Sequence, residues 1–155
     1  MTAPFEAGQP FPALQLPDEH ENVRSLDDLA GNNGLILFVY PKDNTPGCTV
    51  EAKDFRDRLG DFHALGYTVA GLSKDGAKSH CRFIDKHELT FPLLTDKSGD
   101  YLESIGAFGE KKLYGKTSLG IIRSTYVIGA DGAVQHVFRN VRAKGHAERV
   151  LKKLS

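Results

Sequence analysis

The stretch Leu35 to Phe55, LILFVYPKDNTPGCTVEAKDF, decides how the chain is read. Its first six residues, Leu35 to Tyr40, form a continuous apolar run. Such a run predicts a strand covered on both faces, in a parallel or mixed central sheet. A short polar loop follows, and then a helix start. Thr45 suits the cap, and Pro46 suits the first helical position, where its missing N–H costs nothing. Gly47 keeps the backbone open to a ligand. Cys48 therefore falls in the first turn, where free N–H groups and the positive end of the helix dipole favour a thiolate.

Outward from this stretch the pattern alternates strands and helices. Upstream, Ala13-Leu14-Gln15-Leu16 and Val23-Arg24-Ser25-Leu26 are short enough for a β-hairpin among turn formers, and Gly31 to Gly34 makes a turn. Downstream, the helix carries Val50, Phe55, Leu59 and Phe62 on one face, with Glu51, Lys53, Asp54 and Arg56 on the other. Tyr67 to Ser73 predicts a second strand. A helix from Lys74 or Asp75 follows, with Ala77, Cys81 and Ile84 as its apolar stripe. Phe91 to Leu94 predicts an extended piece, Ser98 to Ile105 a short helix, and the glycine-rich 106–120 a long solvated loop. Ile121 to Ile128 and Ala133 to Phe138 predict strands joined at Ala130-Asp131-Gly132, before a last helix, Ala147 to Leu154. The result is an α/β fold, a central mixed sheet with helices on both faces and an N-terminal hairpin, in one domain over 1–155.

Composition excludes several classes. Lys+Arg 20 against Asp+Glu 20 leaves no global field for nucleic acid or an acidic membrane surface. No basic leader precedes an apolar run at the start, and no run approaches the length of a membrane span. Two cysteines make no disulfide scaffold, so chemistry or a core role is expected of them in a reducing cytoplasm. The six histidines are scattered, and no spacing matches a zinc pattern, so no metal or other cofactor is expected.

A free thiol has a pKa of about 8.5 and is only a few per cent thiolate at neutral pH. Lowering a thiol pKa by about 2.5 units takes roughly 3.4 kcal/mol, whereas a helix N-terminus contributes about 0.3–1 kcal/mol. A cation must supply the rest. Arg123, beside Ile121-Ile122, is the best placed, because an arginine in an apolar strand needs an anionic partner. A thiolate would serve, with Glu51 helping to hold the guanidinium. The other reading is an edge-strand charge pointing to water. Thr45 suits a cap, and its hydroxyl could also bind a substrate oxygen over the sulfur. Cys48 could be a small buried residue instead, but Thr-Pro-Gly-Cys argues against burial.

At this point the residues resemble a known family. YPKDNTPGCTVEAKDF is similar to the active-site loop of the peroxiredoxins, with Pro41, Thr45 and Cys48 at its pattern positions, and its longer spelling resembles the peroxiredoxin Q (bacterioferritin comigratory protein) branch. Phe91 to Asp96, Ile122 to Ile128 and Lys144 to Ala147 follow in the expected order. The resemblance implies a thioredoxin-like fold and reduction of hydrogen peroxide and organic hydroperoxides. It implies that Cys48 is the peroxidatic cysteine, that Arg123 stabilises the thiolate and the peroxide, that Thr45 orients the peroxide, and that Pro41 shields the site. Backbone N–H groups of Gly47 and Cys48 would join them at the transition state. The product would be a sulfenic acid, recycled by thioredoxin or another thiol, in a protein expected to be monomeric.

The second cysteine departs from the family's commonest pattern. A resolving cysteine five residues after the first is replaced by Lys53, and the alternative position on the next helix falls at Ile84, one turn after Cys81. In one reading, the preferred one, Cys81 resolves Cys48 as an intramolecular disulfide after local unwinding. In the other, Cys81 is a core residue and an external thiol resolves Cys48. A thioredoxin-fold redox-sensing or chaperone module is the rival from another class. A Cys-x-x-Cys oxidoreductase is excluded by Thr45.

Overall fold

The computed structural model describes residues 5–113 and 115–155. Residues 1–4 and 114, which belong to the span assigned to one domain and, for 114, to the expected 106–120 loop, lie outside the described residues. The apolar run becomes β3 (Gly34–Val39), buried along its whole length. Alternate side chains of β3 feed two separate cores: Leu35, Leu37 and Val39 enter one, Ile36 and Phe38 the other. A period of two on a strand buried on both faces produces this division.

β3 pairs in parallel with β4 (Tyr67–Ser73), which pairs in parallel with β5 (Leu93–Thr95). On its other side β3 runs antiparallel to β8 (Ser124–Gly129), and β8 to β9 (Val134–Arg139). The sheet order β5-β4-β3-β8-β9 is therefore mixed, as expected. One face is covered by the hairpin of β1 (Gln15–Pro17) and β2 (Val23–Ser25) and by α5 (Asp100–Ser104), through Leu16 and Leu102. The other is covered by α2 (Pro46–Asp57), α4 (Ala77–His87) and α6 (His146–Leu154), through Phe55, Phe83 and Val150. Phe38 stacks on Phe55 at 4.7 Å, which fixes α2 against the sheet. Gly71 leaves room for this aromatic layer, since a Cβ there would lie 2.7 Å from Leu93 Cδ2 and 3.0 Å from Phe38 Cζ.

Several local expectations are corrected. The helix after Cys48 breaks at Arg58, so Leu59 and Phe62 belong to a separate α3 (Leu59–Ala64). The face that α2 buries is Cys48, Glu51, Ala52 and Phe55, while Val50 is 42% exposed. An i, i+3, i+4, i+7 face centred on Phe55 passes through Glu51, not Val50. On α4 the buried residues are His80 and Phe83, so the Ala77, Cys81, Ile84 stripe lies at the margin. The second hairpin strand ends at Ser25, whose side chain closes a capping box over α1 (Leu26–Leu29).

The described residues of the 106–120 segment are not a loop. They form an antiparallel hairpin of β6 (Phe108–Leu113) and β7 (Lys116–Ile121), in which Gly109 faces Gly120. Glycines there accompany a backbone ladder outside the main sheet. The expected strand Ile121 to Ile128 is broken at Ile122 and Arg123, because their backbone bonds go elsewhere. Ile122 N–H donates to the Ala107 carbonyl, and the Arg123 carbonyl accepts from Val141 N–H. Among the described residues no helix is long and apolar enough to cross a membrane, and no group of three or more His, Cys, Asp or Glu side chains could hold a metal ion.

Candidate active site

The register of the sheet assembles the site. Val39 pairs with Ser124, so Arg123 lies beside the end of β3, where the chain turns through Tyr40 and Pro41 towards α2. Cys48 is the third residue of α2, after Pro46 and Gly47. The first-turn amides of Gly47 and Cys48 lie ahead of the helix's own hydrogen bonds. Contrary to the sequence reading, Cys48 is buried, only 1% exposed. Its sulfur is enclosed by the core side of the helix it opens.

Arg123 does not point to water. Its guanidinium forks: Nη2 donates to Cys48 Sγ at 3.2 Å and Nη1 to Glu51 Oε1 at 2.6 Å. Gly47 makes room for it, since a Cβ at that position would lie 3.3 Å from Nη2. Cys48 and Glu51, at i and i+3 on α2, present both acceptors on one face. Burial works against the charge on Arg123, but Glu51 and Cys48 outweigh it and hold its pKa above the ordinary value. For Glu51 the balance falls the other way. Burial raises its carboxyl to about 7 against the pull of Arg123, with Asp54 adding to the rise. The carboxyl is the weaker partner because it is fully enclosed, whereas the guanidinium keeps 16% exposure. Glu51 Oε2 is buried with no hydrogen-bond partner.

Thr45 occupies the cap position without a side-chain cap bond; its hydroxyl donates instead to the Lys42 carbonyl at 2.8 Å. The loop ahead of α2 is held from within by a cluster that sequence reasoning missed. Asp43 accepts from Tyr40 Oη at 2.5 Å and from Ser79 Oγ at 2.8 Å, and lies 2.7 Å from His80 Nδ1. Its own N–H donates to Asp75 Oδ2. His80 Nε2 faces the Leu94 carbonyl at 3.1 Å. Nothing in a lone Asp of a polar loop marks it as buried, 5% exposed, under a helix that starts over thirty residues later. Behind Arg123, Thr125 Oγ1 lies 2.7 Å from His146 Nε2, in a buried contact between β8 and α6.

Cys81 is not brought to Cys48. Its thiol donates to the Glu19 carbonyl at 3.2 Å, in the β1–β2 turn, and both cysteines are free. Burial, with Glu19, Asp85 and Asp18, pushes the Cys81 thiol up. A cavity of about 560 Å³ lies between that turn and the start of α4, lined by Leu16, Lys74 and Asp96 among others, and shares no residue with the Cys48 site.

Residues 7–137 match the AhpC/TSA family. Peroxiredoxin Bcp of Escherichia coli (strain K12) is 39% identical over 96% of this chain and 94% of that protein. A Mycobacterium tuberculosis (strain H37Rv) relative, whose name places it provisionally among the peroxiredoxins, is 44% identical over 99% of this chain and 98% of its own length. Among solved structures, Xanthomonas campestris peroxiredoxin Q superposes with a TM-score of 0.84 at 37% identity, covering 98% of this chain and 96% of that one. The likeness extends over the thioredoxin-like fold as a whole.

Proposed function

The chain belongs to the AhpC/TSA family and is a thiol peroxidase of the Bcp and peroxiredoxin Q type, and we propose that Cys48 is its peroxidatic cysteine. The observation that carries this reading is the forked Arg123, which ties the Cys48 sulfur to a buried carboxyl. In this reading the Cys48 thiolate attacks one peroxide oxygen in line, and negative charge moves onto the departing oxygen. Arg123 Nη2 and the first-turn amides of Gly47 and Cys48 stabilise that charge in a largely enclosed site. The Thr45 hydroxyl, its proton committed to Lys42, offers oxygen lone pairs to the peroxide O–H. Pro41, partly buried ahead of the loop, shields the site.

The product is a sulfenic acid on Cys48. Cys81 then attacks it to form an intramolecular disulfide, which thioredoxin or another thiol reduces, in a monomeric cytoplasmic protein. Bridging requires Cα atoms within about 7 Å, so α2 and α4 must unwind locally. A second reading, with an external thiol resolving Cys48, draws support from the Cys81 bond to Glu19 and its raised pKa, both of which hold that thiol in place and protonated.

A thioredoxin-coupled peroxidase assay tests the reading, with Cys48→Ser expected to abolish turnover. Turnover retained in that variant would end it. Intact mass after one equivalent of peroxide separates the two resolutions. A loss of two hydrogens that disappears in Cys81→Ser supports the disulfide, and a stable gain of one oxygen in the parent protein supports the external thiol.

A further inference from the structure

Three ionisable groups share the site: Cys48 and Glu51, both buried, and Arg123 between them. One cation faces two potential anions. A second anion in so enclosed a place would lack a counter-charge, and carboxyls in such positions hold a proton instead. Next to an anionic sulfur, Glu51 is therefore the group that keeps a proton. The contacts of Glu51 leave room for that proton: Oε1 takes Arg123, and among the described residues Oε2 has no hydrogen-bond partner. Burial raises the same carboxyl to about 7.

Charge balance sets the protonation state on either side of the reaction. With Cys48 as the attacking thiolate, the guanidinium is already balanced before reaction, and a protonated Glu51 keeps the cluster neutral. After reaction Cys48 is a neutral sulfenic acid, and the only anion that can balance Arg123 is a Glu51 carboxylate. The proton leaves Glu51 during the step that creates a new negative oxygen. Resting on the assignment of Cys48 as the peroxidatic cysteine, we propose that Glu51 is the acid that protonates the departing peroxide oxygen.

The step balances. The thiolate electron pair forms the S–O bond as the O–O bond breaks, so sulfur is oxidised by two electrons and the peroxide is reduced. The transferred oxygen keeps its own proton as S–OH. The departing alkoxide or hydroxide takes the Glu51 proton and leaves as alcohol or water. Glu51 is separated from the sulfur by the single guanidinium that contacts both. The charged and titratable groups around it are Cys48 and Asp54 on α2 and Arg123 ahead of β8; Arg123 in turn acts on His146 of α6, whose pKa burial, Arg149 and Arg123 together lower.

Leaving-group chemistry provides the test. Alkyl hydroperoxides expel a strongly basic alkoxide that needs a proton, whereas peracetic acid expels acetate, which does not. Glu51→Gln keeps an oxygen for Arg123 but has no proton to give. Its rate of Cys48 oxidation by tert-butyl hydroperoxide should fall about 100-fold or more, the scale of general acid catalysis, with the peracetic acid rate changed only a few-fold. Equal slowing with both oxidants would reduce Glu51 to a positioning residue and overturn the proposal, as would no slowing with either. If Glu51→Gln fails to fold, the parent protein answers alone. Its rates should depend little on leaving-group basicity below the Glu51 ionisation and steeply above it, and a steep dependence at every pH would overturn the proposal. A parent protein in which Cys48 reacts with neither oxidant would instead defeat the assignment of Cys48.

Discussion

Replacing Arg123 with methionine removes the hydrogen bond to Cys48 Sγ at 3.2 Å while keeping most of the side-chain volume. A hydrogen bond to a charged group is worth about 1.5–3 kcal/mol, so Cys48 oxidation should slow by about 10- to 150-fold. The helix end remains, and it contributes only about 0.3–1 kcal/mol. The same substitution strips Glu51 of its one partner, and Glu51 is fully buried. Its carboxyl then holds a proton more firmly, so the variant should lose stability as pH rises above neutrality, where the parent does not. Combining Arg123→Met with Glu51→Gln should restore stability at alkaline pH without restoring the rate. The protein has no tryptophan, so competition with a haem peroxidase for limiting peroxide is the better assay. Peracetic acid should show the Arg123 loss in full, unlike the Glu51 loss. A reduction smaller than about threefold, below the weakest charged hydrogen bond, would refute the role given to Arg123.

His146 is buried and its pKa is lowered to about 4, by desolvation first and then by Arg149 and Arg123. A base depressed in the folded state binds fewer protons there than when unfolded, so its contribution is lost as pH falls from about 6.5 towards 4. Glu51, raised to about 7, does the reverse: the folded state binds more protons, and stability falls as pH rises from 4.5 towards 7. Each shift is worth on the order of 3 kcal/mol. Urea midpoints should therefore vary little with pH between these limits in the parent, fall with pH in His146→Phe and rise with pH in Glu51→Gln; parallel profiles in all three would contradict the assignment. Asp43→Asn removes the acceptor shared by Tyr40, Ser79 and His80, and should cost about 3 kcal/mol and speed amide exchange through 41–49. Unchanged exchange there would show that the loop is fixed by something else.

Local pattern was enough for the parts of the fold with one clear partner. The apolar run at β3 and the Pro46 helix start needed only strand burial and helix-terminus chemistry to be placed. The hairpin over 108–121 was hidden because its glycines and lysines read as turn and solvent signals, while its ladder is made of backbone atoms. The exposed side of α2 was misjudged for a related reason. Val50 outranks Glu51 in hydrophobicity, yet Glu51 is the one on the face set by Phe55 stacking on Phe38.

By itself the sequence determined that a cysteine opens a helix after a buried strand, and that such a corner stabilises a thiolate too weakly without a cation. Tertiary structure alone decided which cation meets the sulfur and how enclosed the carboxyl beside it is. The β3–β8 register brings Arg123 to a sulfur separated from it by 75 positions in the chain. Enclosure then raises the Glu51 carboxyl towards neutrality, because desolvation depends on what surrounds a carboxyl in space and has no signature in the residues next to it.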